Sequence, residues 1–435
     1  MRLTFFGAVR EVGRSCILLE SRNAKVIIDA GVKLGEVEQH PEIDDSMLKS
    51  VDAVVISHAH LDHCGYLAHL FSYGYSGPVY ATKPTLELIN VMISDYLRIS
   101  KPKGVSKDVV AKMARHYKAI EYNKEFSIKD IKIKFVQAGH VLGSAMLLIE
   151  CEGKRLVYSG DVNLKGTRLL SPAEVERIGA DVLLVESTYG GKGDVFPSEK
   201  KTLNEMVASL KETINKGGKI IIPTFAVGRG QEVLFLLDDY IRSGVLPHVP
   251  IYIDGMINKA MRIYRHNVIY CRDELQKRIL MSEDDPFKSK NFVEVKGKQH
   301  RNEIMKSEES CIIVTTSGMI KGGPVIAYLK KLAGVQKDKL ILVGYQAAGT
   351  PGREIDDGAK EVELDGRKVE IKLKVENFHL SGHADRPQLL RLIEKVNPKK
   401  IFVMHGEEGK SKEFAESLKG RYETILPEIG KSYEI

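Results

Sequence analysis

Short apolar runs separated by polar turns fill the first 190 residues. Cys16-Ile17-Leu18-Leu19-Glu20, a polar turn and Lys25-Val26-Ile27-Ile28-Asp29 predict a β-hairpin that ends in Asp29-Ala30-Gly31. A second hairpin echoes it. Met146 to Glu150, the turn Glu152-Gly153-Lys154 and Leu156 to Ser159 end in Gly160-Asp161. Asp52-Ala53-Val54-Val55-Ile56-Ser57 reads as a buried strand between them, and 85–120 is helical in character and rich in Lys. From about 190 to 355 the pattern changes. Lys219 to Pro223, Ile251 to Ile253, Ile312 to Val314 and Leu340 to Val343 are strand-like, and three of them run through a Gly-containing loop into an amphipathic helix. Strands alternating with helices predict an α/β domain on a parallel sheet. After Gly352, β character returns at Glu361 to Leu364 and Val369 to Val375, followed by two strand–helix passages. The expected organisation is α/β, with residues 191–354 inserted into a domain made of 1–190 and 355–435.

Composition narrows this little. The 435 residues carry 65 Lys and Arg against 58 Asp and Glu, a net +7 that permits a polyanionic partner without identifying one. No window holds the 18 or more apolar residues of a membrane span, so no membrane association is expected. The opening Met-Arg-Leu-Thr-Phe-Phe-Gly is too short to read as a secretion signal. Five scattered cysteines without a C-x-x-C pair argue against a disulfide framework and for a reducing, cytoplasmic setting. The Lys-rich run from Lys101 to Lys134 is interspersed with acids and reads as a solvated face.

The histidines are more informative. Ser57-His58-Ala59-His60-Leu61-Asp62-His63-Cys64-Gly65 follows directly on an apolar strand. Alternate residues of an extended stretch share a face, so His58 and His60 can hold one ion while Asp62 and His63 turn toward a second. Imidazole with a minority of carboxylate suits zinc. His140, Asp161, His383 and His405 recur in the same setting, a strand end beside a Gly or a turn. The remaining histidines, His40, His69, His116, His248, His266, His300 and His379, show no ligand-like spacing and read as surface or structural.

The run His58-x-His60-x-Asp62-His63, with Asp29 before it and His140 and Asp161 after it, resembles the metallo-β-lactamase superfamily. Glu186 in Glu186-Ser187-Thr188-Tyr189-Gly190, with His383 and His405, resembles the further motifs of the β-CASP nucleases. The likeness extends over essentially the whole chain and is strongest to compact archaeal or bacterial members related to the cleavage and polyadenylation endonuclease. It leaves no room for the N-terminal KH domains of longer relatives. It implies an αββα metallo-β-lactamase sandwich with an inserted β-CASP domain on a mostly parallel sheet, and two zinc ions per chain. His58, His60, His140 and Asp161 would hold the first ion. Asp62, His63, Asp161 and His405 would hold the second, with Asp161 bridging. Asp29 would orient a ligand or the attacking water, and Glu186 with His383 would stand near the leaving group. A His at the last motif, here His405, is typical of RNA-directed members of that family.

The implied activity is two-metal hydrolysis of RNA phosphodiester bonds, endonucleolytic or 5′-to-3′ exonucleolytic, in RNA processing or decay. Two ions acidify water from pKa 15.7 toward ~7 and neutralise phosphate charge. A His held by a carboxylate favours imidazolium and can protonate the leaving oxygen. In the inserted block, Phe225 to Gly230 and Ser317 to Pro324 precede helices. Their glycines and helix N-termini suit phosphate, with Arg229, Lys321, Ser317 and Gly318 as contacts. Tyr345 could stack a base of single-stranded RNA. Gly406-Glu407-Glu408-Gly409-Lys410-Ser411 fails as a P-loop, because Met404 stands where the first glycine is required. Competing readings are a DNA nuclease, a small-molecule hydrolase of the same superfamily, which leaves 191–354 unexplained, and a non-catalytic scaffold, which would be expected to have lost ligands. A homodimer and RNA-processing or decay partners are further expectations, with the strand-like tail Ser432-Tyr433-Glu434-Ile435 as a dimerisation element.

Overall fold

The two hairpins of the first 190 residues start the two sheets of a sandwich. The computed structural model describes residues 1–435 except Glu36, Lys107 (within the Lys-rich run), Arg177 and Glu283, and the side chain of Asp45. Ile17–Glu20 pairs antiparallel with Lys25–Ile28, which then pairs parallel with Ala53–Val55. Ala145–Cys151 pairs antiparallel with Lys154–Tyr158, which then pairs parallel with Val182–Glu186. The echo between the hairpins is thus topological: each second strand ends at an aspartate and leans on a third strand that leads to further site residues.

Among the described residues, the first seven-stranded sheet runs in the order 432–434, 2–5, 17–20, 25–28, 53–55, 79–81 and 117–119. The second runs 423–425, 400–404, 182–186, 154–158, 145–151, 131–137 and 125–128. Alternation of side chains decides what each face buries. Leu3, Phe5, Ile17, Leu19, Val26 and Ile28 of the first sheet pack with Phe135, Leu147, Ile149, Leu156, Leu184 and Phe402 of the second. The intervening Leu183, Val185, Ile401 and Val403 face outward onto Leu389, Leu392, Ile393, Phe414 and Leu418 of the helices Arg386–Val396 and Glu408–Leu418. The expected αββα sandwich is present. The tail strand Ser432–Glu434 pairs with Arg2–Thr4 of its own chain.

The chain divides into two compact units, Met1–Val195 with Gly382–Ile435, and Phe196–Ser381. The second holds a six-stranded sheet in the order 292–294, 251–254, 312–315, 220–223, 339–342 and 374–377, with every neighbour parallel. Ile221, Ile313, Leu340 and Leu342 pack there with Val325, Tyr328 and Leu329 of the helix Pro324–Leu332. The return to the first unit comes at Gly382, later than the 355 expected from the pattern. Glu361–Leu364 and Arg367–Glu370 form a two-stranded hairpin, and the chain then crosses so that Lys374–Asn377 pairs with Lys339–Leu342. The single strand expected over 369–375 is therefore two strands of two sheets. No helix among the described residues is long and apolar enough to cross a membrane.

Candidate metal centre

All the proposed metal ligands lie in the first unit, at the ends of strands of both its sheets. Ala53–Val55 leads through Ile56 and Ser57 into the 58–63 stretch, where Leu61–Cys64 forms one helical turn. This loop sits close because Gly31 lacks a side chain. A Cβ there would lie 1.7 Å from the Asp62 carbonyl oxygen. Asp29 and His405 leave their strand ends at φ of +57° and +48°, left-handed backbone that few non-glycine residues adopt. Gly406 serves His405 as Gly31 serves Asp62, since a Cβ on it would lie 2.4 Å from the Ser187 carbonyl oxygen.

The donors converge on Asp161, which is 2% exposed. Its Oδ2 lies 3.4 Å from His58 Nε2, 3.4 Å from His63 Nε2 and 3.6 Å from His140 Nε2. Its Oδ1 lies 3.2 Å from His405 Nδ1. His140 Nε2 and His60 Nδ1 are 3.1 Å apart, and His405 Nε2 is 3.4 Å from Asp62 Oδ2. Two groups result, His58–His60–His140–Asp161 and Asp62–His63–His405, and Asp161 reaches both. His58 Nε2, His63 Nε2, His405 Nε2 and Asp161 Oδ1 are buried without a hydrogen-bond partner. Buried polar atoms are almost always paired, so such a set calls for an occupant. Ligands about 2.0–2.2 Å from a tetrahedral zinc stand roughly 3.3 Å from one another, which matches these separations. The residues fit a metal cofactor.

A further layer aims the rings. Asp29, fully buried, accepts hydrogen bonds from the Ser57 N–H and hydroxyl (2.7 and 2.8 Å), His63 Nδ1 (2.7 Å) and the Tyr158 hydroxyl (2.7 Å). Asp29 thereby holds the His63 ring with its Nε2 edge toward Asp161. His140 Nδ1 donates to the Gly382 carbonyl at 2.9 Å, which turns Nε2 toward His60 and Asp161. Asp29 thus contacts the candidate ligand His63 directly. Ser57 and Tyr158 escaped the sequence reading. Their signal was position: Ser57 directly precedes His58, and Tyr158 ends the strand that delivers Asp161.

Glu186 and His383 form the expected pair, 3.1 Å between Oε2 and Nδ1. Glu186 is 1% exposed and also accepts the Val162 N–H, whereas His383 is open on one side. Burial alone would lower the His383 pKa, but the Glu186 and Asp161 carboxylates push it up to about 9. The two carboxylates thus favour the imidazolium form of the ring. Burial likewise opposes ionisation of Asp161, yet His405, His63 and His383 hold it well below the usual carboxylate range. Burial and the neighbouring His383 keep His140 well below the ordinary histidine value, as a neutral ligand must be.

In the second unit, the loops bearing Arg229, Ser317, Gly318, Lys321 and Tyr345 follow the adjacent strands 220–223, 312–315 and 339–342 at their C-terminal ends. Gln346 Nε2 donates to the Gly318 carbonyl at 3.0 Å, and a Cβ on Gly318 would lie 2.9 Å from the Phe225 N. Ser317 Oγ accepts the Lys321 N–H at 2.9 Å. The three loops thus gather at one edge of the sheet, where open α/β sheets bind ligands.

Known proteins match this architecture segment by segment. Residues 18–186 match the metallo-beta-lactamase superfamily domain, 230–355 the Beta-Casp domain and 368–427 the Zn-dependent metallo-hydrolase RNA specificity domain. The RNase J-like protein of Methanocaldococcus jannaschii is 39% identical over 96% of this chain and 95% of its own length. Transcription termination factor FttA of the same organism is 38% identical, covering 98% of this chain and 70% of that protein. FttA of Methanothermobacter thermautotrophicus is 39% identical with the same coverage. A solved structure of a protein of unknown function from Enterococcus faecalis superposes with a TM-score of 0.59 at 16% identity, over 99% of both chains, and supports the fold alone. With relatives of this identity aligned along nearly its whole length, the chain belongs to the β-CASP family of the metallo-β-lactamase superfamily.

Proposed function

We infer that this protein is a zinc-dependent ribonuclease that holds two Zn²⁺ ions and hydrolyses phosphodiester bonds of single-stranded RNA. The observation that carries the reading is the set of unpaired, buried ring nitrogens around Asp161, with the Glu186–His383 pair beside it. His58, His60, His140 and Asp161 would hold one ion; Asp62, His63, Asp161 and His405 the other. When bound, the ions supply an acidified water and neutralise phosphate charge. The remaining work falls to side chains. Asp29 keeps His63 in one tautomer, Glu186 keeps His383 protonated, and His383, partly exposed, gives its proton to the leaving 3′ oxygen. Arg229, Lys321, Ser317, Gly318 and Tyr345 would grip the RNA backbone and a base. The near end-to-end match to an RNase J-like protein favours a role in RNA processing or decay. The FttA relatives extend that to transcript termination.

The test is digestion of 5′-labelled RNA by the full chain, carrying either a 5′-triphosphate or a 5′-monophosphate, before and after chelation and zinc reloading. Internal fragments from both substrates indicate an endonuclease. Mononucleotides from the monophosphate substrate alone indicate a 5′-to-3′ exonuclease. Failure to cut either RNA after zinc reloading overturns the reading.

A further inference from the structure

Two histidines without ligand-like spacing in the sequence meet in the first unit. Glu38 and His40 lie on the irregular stretch after Gly31, and His69 lies 29 positions beyond His40 on the helix Leu67–Ser72. One carboxylate oxygen and one nitrogen from each ring lie within 4.8 Å of one another. His69 is 1% exposed, and neither of its ring nitrogens has a hydrogen-bond partner. That is the same mark carried by the ligands around Asp161, and it is costly for a buried polar ring. The ring is firmly placed: it stacks on Tyr66 at 5.0 Å and 11°, with the His40 ring 4.3 Å away. Burial and the neighbouring His40 push its pKa down to about 4, so at neutral pH it keeps a lone pair. Glu38 Oε1 accepts from the Tyr96 hydroxyl and meets His40 Nε2 at 2.6 Å. A carboxylate oriented by a second donor is the usual support of a metal ligand.

We propose that Glu38, His40 and His69 form an additional zinc site, sharing no residue with the centre around Asp161, that pins the stretch 37–43 to the helices Leu67–Ser72 and Lys83–Ser100. Two imidazoles and one carboxylate suit zinc rather than the oxygen-seeking Mg²⁺ or Ca²⁺. Three protein ligands would leave one position of a tetrahedral ion to solvent, and His40 is one-third exposed.

The test is zinc content per chain, measured on the zinc-loaded and dialysed full chain and on His40→Ala and His69→Gln. The same comparison is made in an Asp161→Ala background, which separates this site from the centre around Asp161. Each variant is expected to carry one ion fewer in both backgrounds. Proteolysis within 37–43 is expected to quicken in His40→Ala and on chelation. His40 is partly exposed, so its truncation leaves the fold intact even if His69→Gln does not. Equal zinc content in the wild type and His40→Ala overturns the proposal.

Discussion

Asp161 has five imidazoles within 3.2–3.9 Å, those of His58, His63, His140, His383 and His405. Such crowding of cationic or neutral rings around one carboxylate is stable only if the rings share positive charge with it or with bound ions. Asp161→Ala should therefore lose metal from both groups of ligands at once, whereas His60→Ala, outside the second group, should spare that position. Metal content per chain decides, and an Asp161→Ala protein that keeps its full complement would remove the bridging role. His383 separates binding from chemistry. Its Nδ1 faces Glu186 at 3.1 Å and Asp161 Oδ2 at 3.9 Å, a geometry that suits a ligand as well as a proton donor. The donor role predicts that His383→Ala retains its metal and loses ~10²–10⁴ in single-turnover rate. Loss of metal would make it a ligand, and a near-normal rate would make it neither.

At the scale of elements, strand ends and the glycines that let them approach shape the centre. Gly31→Ala would drive a methyl group into the Asp62 carbonyl and break the contacts of Ala30 N with His63 O and of Ser15 N with Asp62 O, now 2.7 and 2.8 Å. Overpacking of this kind costs about 1–3 kcal/mol. Denaturant unfolding should show that loss together with weaker metal binding, since the displaced loop carries four ligands. In the second unit, Lys339 is 3% exposed on a central strand, 3.4 Å from both Glu212 of the helix Glu199–Asn215 and Glu376 of the edge strand. Hydrogen bonding to Lys216 and the charge of Lys339 push the Glu212 carboxyl down to about 2. A folded pKa below the unfolded one stabilises above about 4.5 and loses that contribution as pH falls through about 2. The melting temperature of Glu212→Gln should thus lie below the wild type at neutral pH and converge with it toward pH 2; a constant gap would assign the effect to packing. The same elements show why sequence reached some of this structure and not the rest. Apolar runs such as 53–55 and 312–315 declare themselves, and the 58–63 spacing carries its chemistry in six residues. Lys374–Asn377 does not, because Lys-Val-Glu-Asn becomes a strand only beside Lys339–Leu342. Glu38, His40 and His69 were illegible for the same reason: their relation exists only after folding.

For the whole molecule, the decisive fact is that every donor around Asp161, and every donor of the proposed additional zinc site, belongs to Met1–Val195 or Gly382–Ile435. The second unit has its own sheet and its own core around Ile313, Tyr328, Leu329 and Leu340. An ion that binds only the folded form stabilises the structure that holds it, by about 2.7 kcal/mol at a hundred times its dissociation constant. That stabilisation should be local, because no described residue of the second unit is a ligand of either site. Hydrogen exchange of the full chain, with zinc and after chelation, measures it segment by segment. Removing the metal should speed exchange in the strands that end at the centre, Lys154–Tyr158, Val182–Glu186 and Lys400–Met404, and in 37–43. Amides of Ile220–Pro223 and Ile312–Thr315 should keep their protection. Equal loss in both groups would mean that the two units unfold as one cooperative body and that the ions stabilise the second through the first.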